Sequence, residues 1–125
     1  MWRAFATMAV LASVVLGALV PSTGALAHAF LDHAAPSVGS TVRGPPAEVR
    51  IWFTQDLEAA FSTLRVVDQG GAQVDRGNKT VDPADRTLLK VSLRPLAPGT
   101  YTVFWRALSV DTHTTEGRFS FSVSP

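Results

Sequence analysis

From residue 48 onward, apolar and polar side chains alternate in short bursts, each closed by proline, glycine or a cluster of small polar residues. In Val49-Arg50-Ile51-Trp52-Phe53, the residues Val49, Ile51 and Phe53 alternate with Arg50 and Trp52. This period of two predicts a strand with one core face. The same pattern predicts strands over residues 62–67, 87–93, 101–107 and 117–123, with Leu64 and Val66, then Leu89, Val91 and Leu93, then Phe119, Phe121 and Val123 on the inner faces. The strand over 101–107 is bulky on both faces, which predicts a central position. Asp68-Gln69-Gly70-Gly71 predicts a hairpin turn, since glycine supplies the positive φ that tight turns need, and residues 72–78 its return strand. Residues 54–60 are too short for an amphipathic helix and are expected to be a loop. With an opening strand over residues 28–34, ended by Pro36 and Gly39, seven strands result. Turn signals about every ten residues favour an all-β sandwich. Phe53, Trp105, Phe119 and Phe121 are expected to fill its core, while Trp52 and Phe104 face outward and are candidates for screening a site.

The first residues break this pattern. Arg3 precedes an apolar run over residues 4–20, and Pro21-Ser22-Thr23-Gly24 leads to Ala25-Leu26-Ala27. A positive start, an apolar stretch and small residues at the cut predict an export leader over residues 1–27, cleaved after Ala27. The alternative is a retained anchor, since the run is at the lower limit for crossing a bilayer. The predicted mature chain, residues 28–125, is one domain with no room for a second core.

Two features of composition narrow the chemistry. There are no cysteines, which excludes disulfides, thiolate metal sites and cysteine nucleophiles. Ten Lys or Arg balance ten Asp or Glu beyond the leader, and the basic residues are scattered, which argues against nucleic acid. Of three histidines in the chain, two stand where chemistry is plausible. Cleavage after Ala27 gives His28 a free α-amine beside its own imidazole, so one residue offers two nitrogens to one metal. Asp111-Thr112-His113 lies between the last two predicted strands; residues two apart in an extended chain share a side, which would let Asp111 and His113 converge on one ion. Three nitrogens and one oxygen suit Cu(II) and serve Cu(I) poorly, because both methionines, Met1 and Met8, lie in the leader. His33, at odd spacing from His28, reads as an ordinary surface histidine. Asp32 shares the predicted face of His28 but stands about 13 Å away along a strand, which argues against its being a ligand.

As a set, His28-Ala29-Phe30-Leu31, Pro36-x-x-Gly39-Ser40, Val49-Arg50-Ile51-Trp52-Phe53, Pro98-Gly99-Thr100-Tyr101-Thr102-Val103-x-Trp105-Arg106 and Ser109-x-Asp111-x-His113-x-x-x-Gly117-x-Phe119-x-Phe121 resemble the CopC family of periplasmic copper-resistance proteins, also called the PcoC or YobA family. The resemblance spans nearly the whole predicted domain. It implies a Greek-key sandwich, cupredoxin-like or Ig-like, in which His28, Asp111 and His113 meet at one end to hold one Cu(II). A family subgroup carries a Met-rich Cu(I) loop that is missing here, which implies a Cu(II)-only member. The expected role is a monomeric, non-enzymatic periplasmic copper carrier or buffer, serving resistance, homeostasis or uptake, with a CopD-type inner-membrane protein as partner. Two other readings remain open at this point. A histidine brace on a β-sandwich is also how lytic polysaccharide monooxygenases hold copper, although Asp111 would fill the position that oxygen needs. An Ig-like interaction module would make His28 an accident of cleavage.

Overall fold

The computed structural model describes residues 29–125. The expected leader and His28 lie outside the described residues. Eight strands form two four-stranded sheets. One sheet carries, in spatial order, β1 (Leu31–Ala35), β3 (Glu48–Phe53), β6 (Leu88–Ser92) and β5 (Thr80–Val81). The other carries β2 (Thr41–Arg43), β8 (Thr114–Ser124), β7 (Gly99–Leu108) and β4 (Thr63–Val67). All pairings are antiparallel except β2 with β8.

The alternation read from sequence holds. Val49, Ile51 and Phe53 of β3, Leu89 and Val91 of β6, Leu64 and Val66 of β4, and Phe119, Phe121 and Val123 of β8 are all buried between the sheets. Trp105 packs against that core half-buried, its ring edge-on to Phe53 with centroids 5.1 Å apart. The long β7–β8 hairpin pairs ten residues on each strand, making β7 central in its sheet as expected.

The expected strand over residues 72–78 is not formed. Asp68 does turn the chain, with Asp68 N–H donating to Ala72 C=O at 2.9 Å and Gly71 in the left-handed region at φ +82°. Beyond the turn, only isolated bridges remain, from Gln73 to Val67 and from Asp75 to Leu93. The reason is the carboxylate of buried Asp75, which accepts hydrogen bonds from Val66 N–H at 2.8 Å, Gly77 N–H at 2.9 Å and the Gln73 amide at 2.9 Å. A side chain thus takes donors that a ladder would use, and the segment crosses from β4 to the opposite sheet. The count of eight rather than seven reflects two short additions, β2 and β5, whose three and two residues are too few for any periodicity to register. The segment 54–60 is irregular as expected, leading into a single 3-10 turn at Ala59–Phe61.

Strict alternation also fails in β1, where the register shifts between Leu31 and His33. This bulge leaves Asp32 and His33 both exposed. Asp32 Oδ2 lies 2.7 Å from His33 Nδ1, and the His33 ring stacks on Trp52 at 4.4 Å, nearly parallel. His33 is a surface histidine, as read.

Candidate metal centre

The connection from β7 to β8 is five residues long, Ser109 to His113. Ser109 N–H donates to His113 C=O at 3.0 Å, and Thr112 N–H donates to Ser109 C=O at 2.9 Å, so the loop closes on itself as a tight turn. Thr112 has φ +73°. A β-branched residue in the left-handed region stores about 1–3 kcal/mol of strain, of a kind that collects at functional sites. The strained residue sits between Asp111 and His113, and the turn brings their side chains together: His113 Nδ1 is 3.4 Å from Asp111 Oδ1.

Neighbouring segments hold this loop rigidly. Ser109 is fully buried and bridges Leu57, which is also fully buried. Val110 N–H donates to Asp56 C=O at 3.1 Å, and Glu58 N–H to Leu108 C=O at 2.8 Å. Buried Ser62 accepts from Leu108 N–H at 3.2 Å and donates to Glu58 C=O at 2.9 Å. Segment 54–62 therefore acts as a brace behind the loop.

Asp111 is ionised in this setting. The Ser109 hydroxyl donates to its Oδ1 and is the main cause holding the carboxyl below the usual carboxylate range; partial desolvation opposes the shift and His113 adds to it. Both Asp111 and His113 keep over a third of their side-chain surface exposed. A rigid, partly open carboxylate-imidazole pair of this kind can bind a borderline divalent cation.

The chain's first described residues come to the same place. Ala29 is fully buried, and its carbonyl accepts a hydrogen bond from the Thr115 hydroxyl, two residues past His113. Phe30 is tied to Thr54 in both directions, with Thr54 N–H donating to Phe30 C=O at 2.9 Å and Phe30 N–H donating to Thr54 Oγ1 at 3.0 Å. Of the three residues expected at the site, the structure brings Asp111 and His113 together, and His28 lies outside the described residues. Among the described residues no group of three or more His, Cys, Asp or Glu is gathered.

Sequence reasoning missed the supporting residues. Ser109 stood two positions before Asp111 in the quoted motif, so a signal was present. Thr115, Leu57 and Ser62 carried none, because the partner of each lies far away along the chain. Trp52 and Phe104, considered as screens for the site, are engaged elsewhere, Trp52 with His33 and Phe104 beneath the Arg65 guanidinium at 5.0 Å.

Comparison with known proteins agrees with this geometry. The family profile described as the CopC domain matches residues 31–124. Protein YobA of Escherichia coli (strain K12) is 34% identical over 98 residues, covering 78% of this chain and 79% of that protein. Copper resistance protein C of Xanthomonas campestris pv. juglandis is 33% identical over 116 residues, covering 88% and 91%. The crystal structure of CopC from Methylosinus trichosporium OB3b superposes with a TM-score of 0.74 at 34% identity, covering 78% of this chain and 95% of that one. The two-sheet architecture and the match over nearly all the described residues together place this chain in the CopC domain family.

Proposed function

We propose that this protein is a periplasmic copper carrier that binds a single Cu(II) through the amine and imidazole of His28, the carboxylate of Asp111 and the imidazole of His113. The observation that carries the reading is the strained Ser109–His113 turn, which sets Asp111 and His113 3.4 Å apart beside the point where the chain enters at Ala29. Thr115 is about 7 Å along β8 from His113, and residue 28 is one Cα step of about 3.8 Å from Ala29. The tether from the Thr115 hydroxyl to the Ala29 carbonyl supports including His28, the residue before Ala29, in the proposed set. In Asp111, Oδ1 takes both the Ser109 and the His113 contacts, so a bond to the metal falls to Oδ2.

The donor set supports Cu(II) over Cu(I), since no methionine or cysteine follows residue 27. It supports carriage over catalysis, because the Asp111 carboxylate would fill a position that oxygen activation requires open. The copper resistance protein C relatives carry their role in their names, and export with cleavage after Ala27 is what frees the His28 amine. A CopD-type membrane protein is the proposed receiver, and a monomer the proposed state.

The test is a Cu(II) titration followed by electron paramagnetic resonance on protein that starts at His28 and on protein with one extra residue before it. Only the first is expected to give a one-to-one, nitrogen-rich tetragonal signal. Identical signals from the two would sink the assignment of His28, and unchanged affinity in His113→Ala would sink that of the loop.

A further inference from the structure

The outer face of the β2-β8-β7-β4 sheet has a feature that the copper reading does not use. Pairing across β4, β7 and β8 aligns Arg65 with Phe104 and Phe104 with Arg118; one step along, it aligns Thr63 with Arg106 and Arg106 with Glu116. These six side chains line a shallow depression of about 640 Å³. Strands lie about 4.8 Å apart and residues two apart about 7 Å, so the three guanidiniums root at the corners of a triangle about 10 Å wide, with Phe104 between them.

The arginines are not employed in the fold. Elsewhere Arg50 pairs with Glu48, Lys90 pairs with Asp82 at 3.0 Å, and Arg76 and Arg86 donate to the carbonyls of Leu93 and Leu57. By contrast Arg65, Arg106 and Arg118 are exposed and form no salt bridge among the described residues, Arg65 merely lying over the Phe104 ring. Charges beyond residue 27 balance, so this triad, faced by Glu116 alone, is a local segregation rather than general basicity. Guanidinium forks around an aromatic floor match planar carboxylates flanking an apolar side chain, and Arg with aromatic residues is what anchors protein interfaces.

We propose that this face docks an acidic segment of a partner protein, its carboxylates meeting Arg65, Arg106 and Arg118 while an apolar side chain covers Phe104. A bilayer fits less well, because the surface is concave, contains Glu116 and has no lysine. The next row along the hairpin, Leu108 with Thr114, borders the Ser109–His113 loop, so a docked partner would lie beside the candidate metal centre. The docking stands on the arginine triad and does not depend on what that loop binds.

The test uses fluorescence anisotropy at low ionic strength, with a fluorescein-labelled peptide in which Glu alternates with Leu as the probe. Arg65→Gln/Arg118→Gln is expected to weaken binding by about tenfold, while Arg43→Gln/Arg94→Gln, an equal change in net charge elsewhere, shifts it less than about twofold. Glu116→Gln is expected to strengthen binding by about two- to threefold, an opposite sign that a folding defect would not produce. Equal losses in the two double variants would overturn the proposal, as would an unchanged affinity in Glu116→Gln. Tighter, arginine-dependent binding of wild type to phosphatidylglycerol vesicles than to the peptide would overturn it in favour of a membrane surface.

Discussion

Substituting Gly117 by alanine puts a methyl group where the Trp105 indole already lies. Gly117 and Trp105 are cross-strand partners on β8 and β7. A Cβ at position 117 would stand 2.7 Å from Trp105 Cζ2 and 2.9 Å from Cε2, whereas carbon atoms settle at about 3.5–4.0 Å. The ring must retreat by close to 1 Å, and it already packs edge-on to Phe53. Overpacking of this kind costs about 1–3 kcal/mol, and the smaller entropy of an unfolded alanine returns about 0.4–1 kcal/mol. The net expectation is a loss of about 1–2 kcal/mol, or about 5–10 °C in Tm for a domain of this size. Urea unfolding followed by tryptophan fluorescence gives the free energy, and near-ultraviolet circular dichroism reports the displaced indole. In a Trp105→Leu background, Gly117→Ala should be neutral or stabilising. An unchanged or raised urea midpoint in the single variant would show that Trp105 does not need this glycine and refute the reasoning.

Asp75→Ala should cost about 2–3 kcal/mol in urea unfolding, because the buried Val66 N–H loses its acceptor; a loss under about 0.5 kcal/mol would mean that water replaces the carboxylate. Thr115→Val removes the hydroxyl that holds Ala29 while keeping the shape, and should weaken Cu(II) binding by about three- to tenfold in competitive titration, at a cost of about 1–2 kcal/mol in stability from the unpaired Ala29 carbonyl. Equal affinity would show that the clasp does not position residue 28. Asp82 is held below the usual carboxylate range, first by Ala84 N–H and then by Lys90. A lowered folded value contributes stability that is full above the unfolded carboxylate pKa of about 3.9 and is lost as pH falls through the folded one. Asp82→Asn should therefore be less stable than wild type near neutral pH, with the gap closing in acid. A gap independent of pH, measured as urea midpoints across a pH series, would contradict this.

Sequence pattern alone determined the sandwich. Strands with one buried face must alternate, and residues such as Val49, Ile51, Phe119 and Phe121 bury as their spacing requires, because period two is a local property of the extended backbone. The Asp111-x-His113 pair stood out as two chemically loud side chains in a short connection, but a turn with Thr112 left-handed, not extended spacing, sets them 3.4 Å apart. Where a side chain competes with the backbone, the pattern misled: the apparent strand over residues 72–78 is dissolved by the Asp75 carboxylate, a tertiary contact with no periodic trace. Short β2 and β5 form only because neighbouring strands offer them edges. What only the tertiary structure decided is the setting of the candidate metal centre. The left-handed Thr112, the brace of Leu57 and Ser62 behind the loop, and the clasp from Thr115 to Ala29 join residues up to 86 positions apart. Such contacts depend on which strands pair and on how the two sheets stack, and no local spacing along the chain encodes that distance.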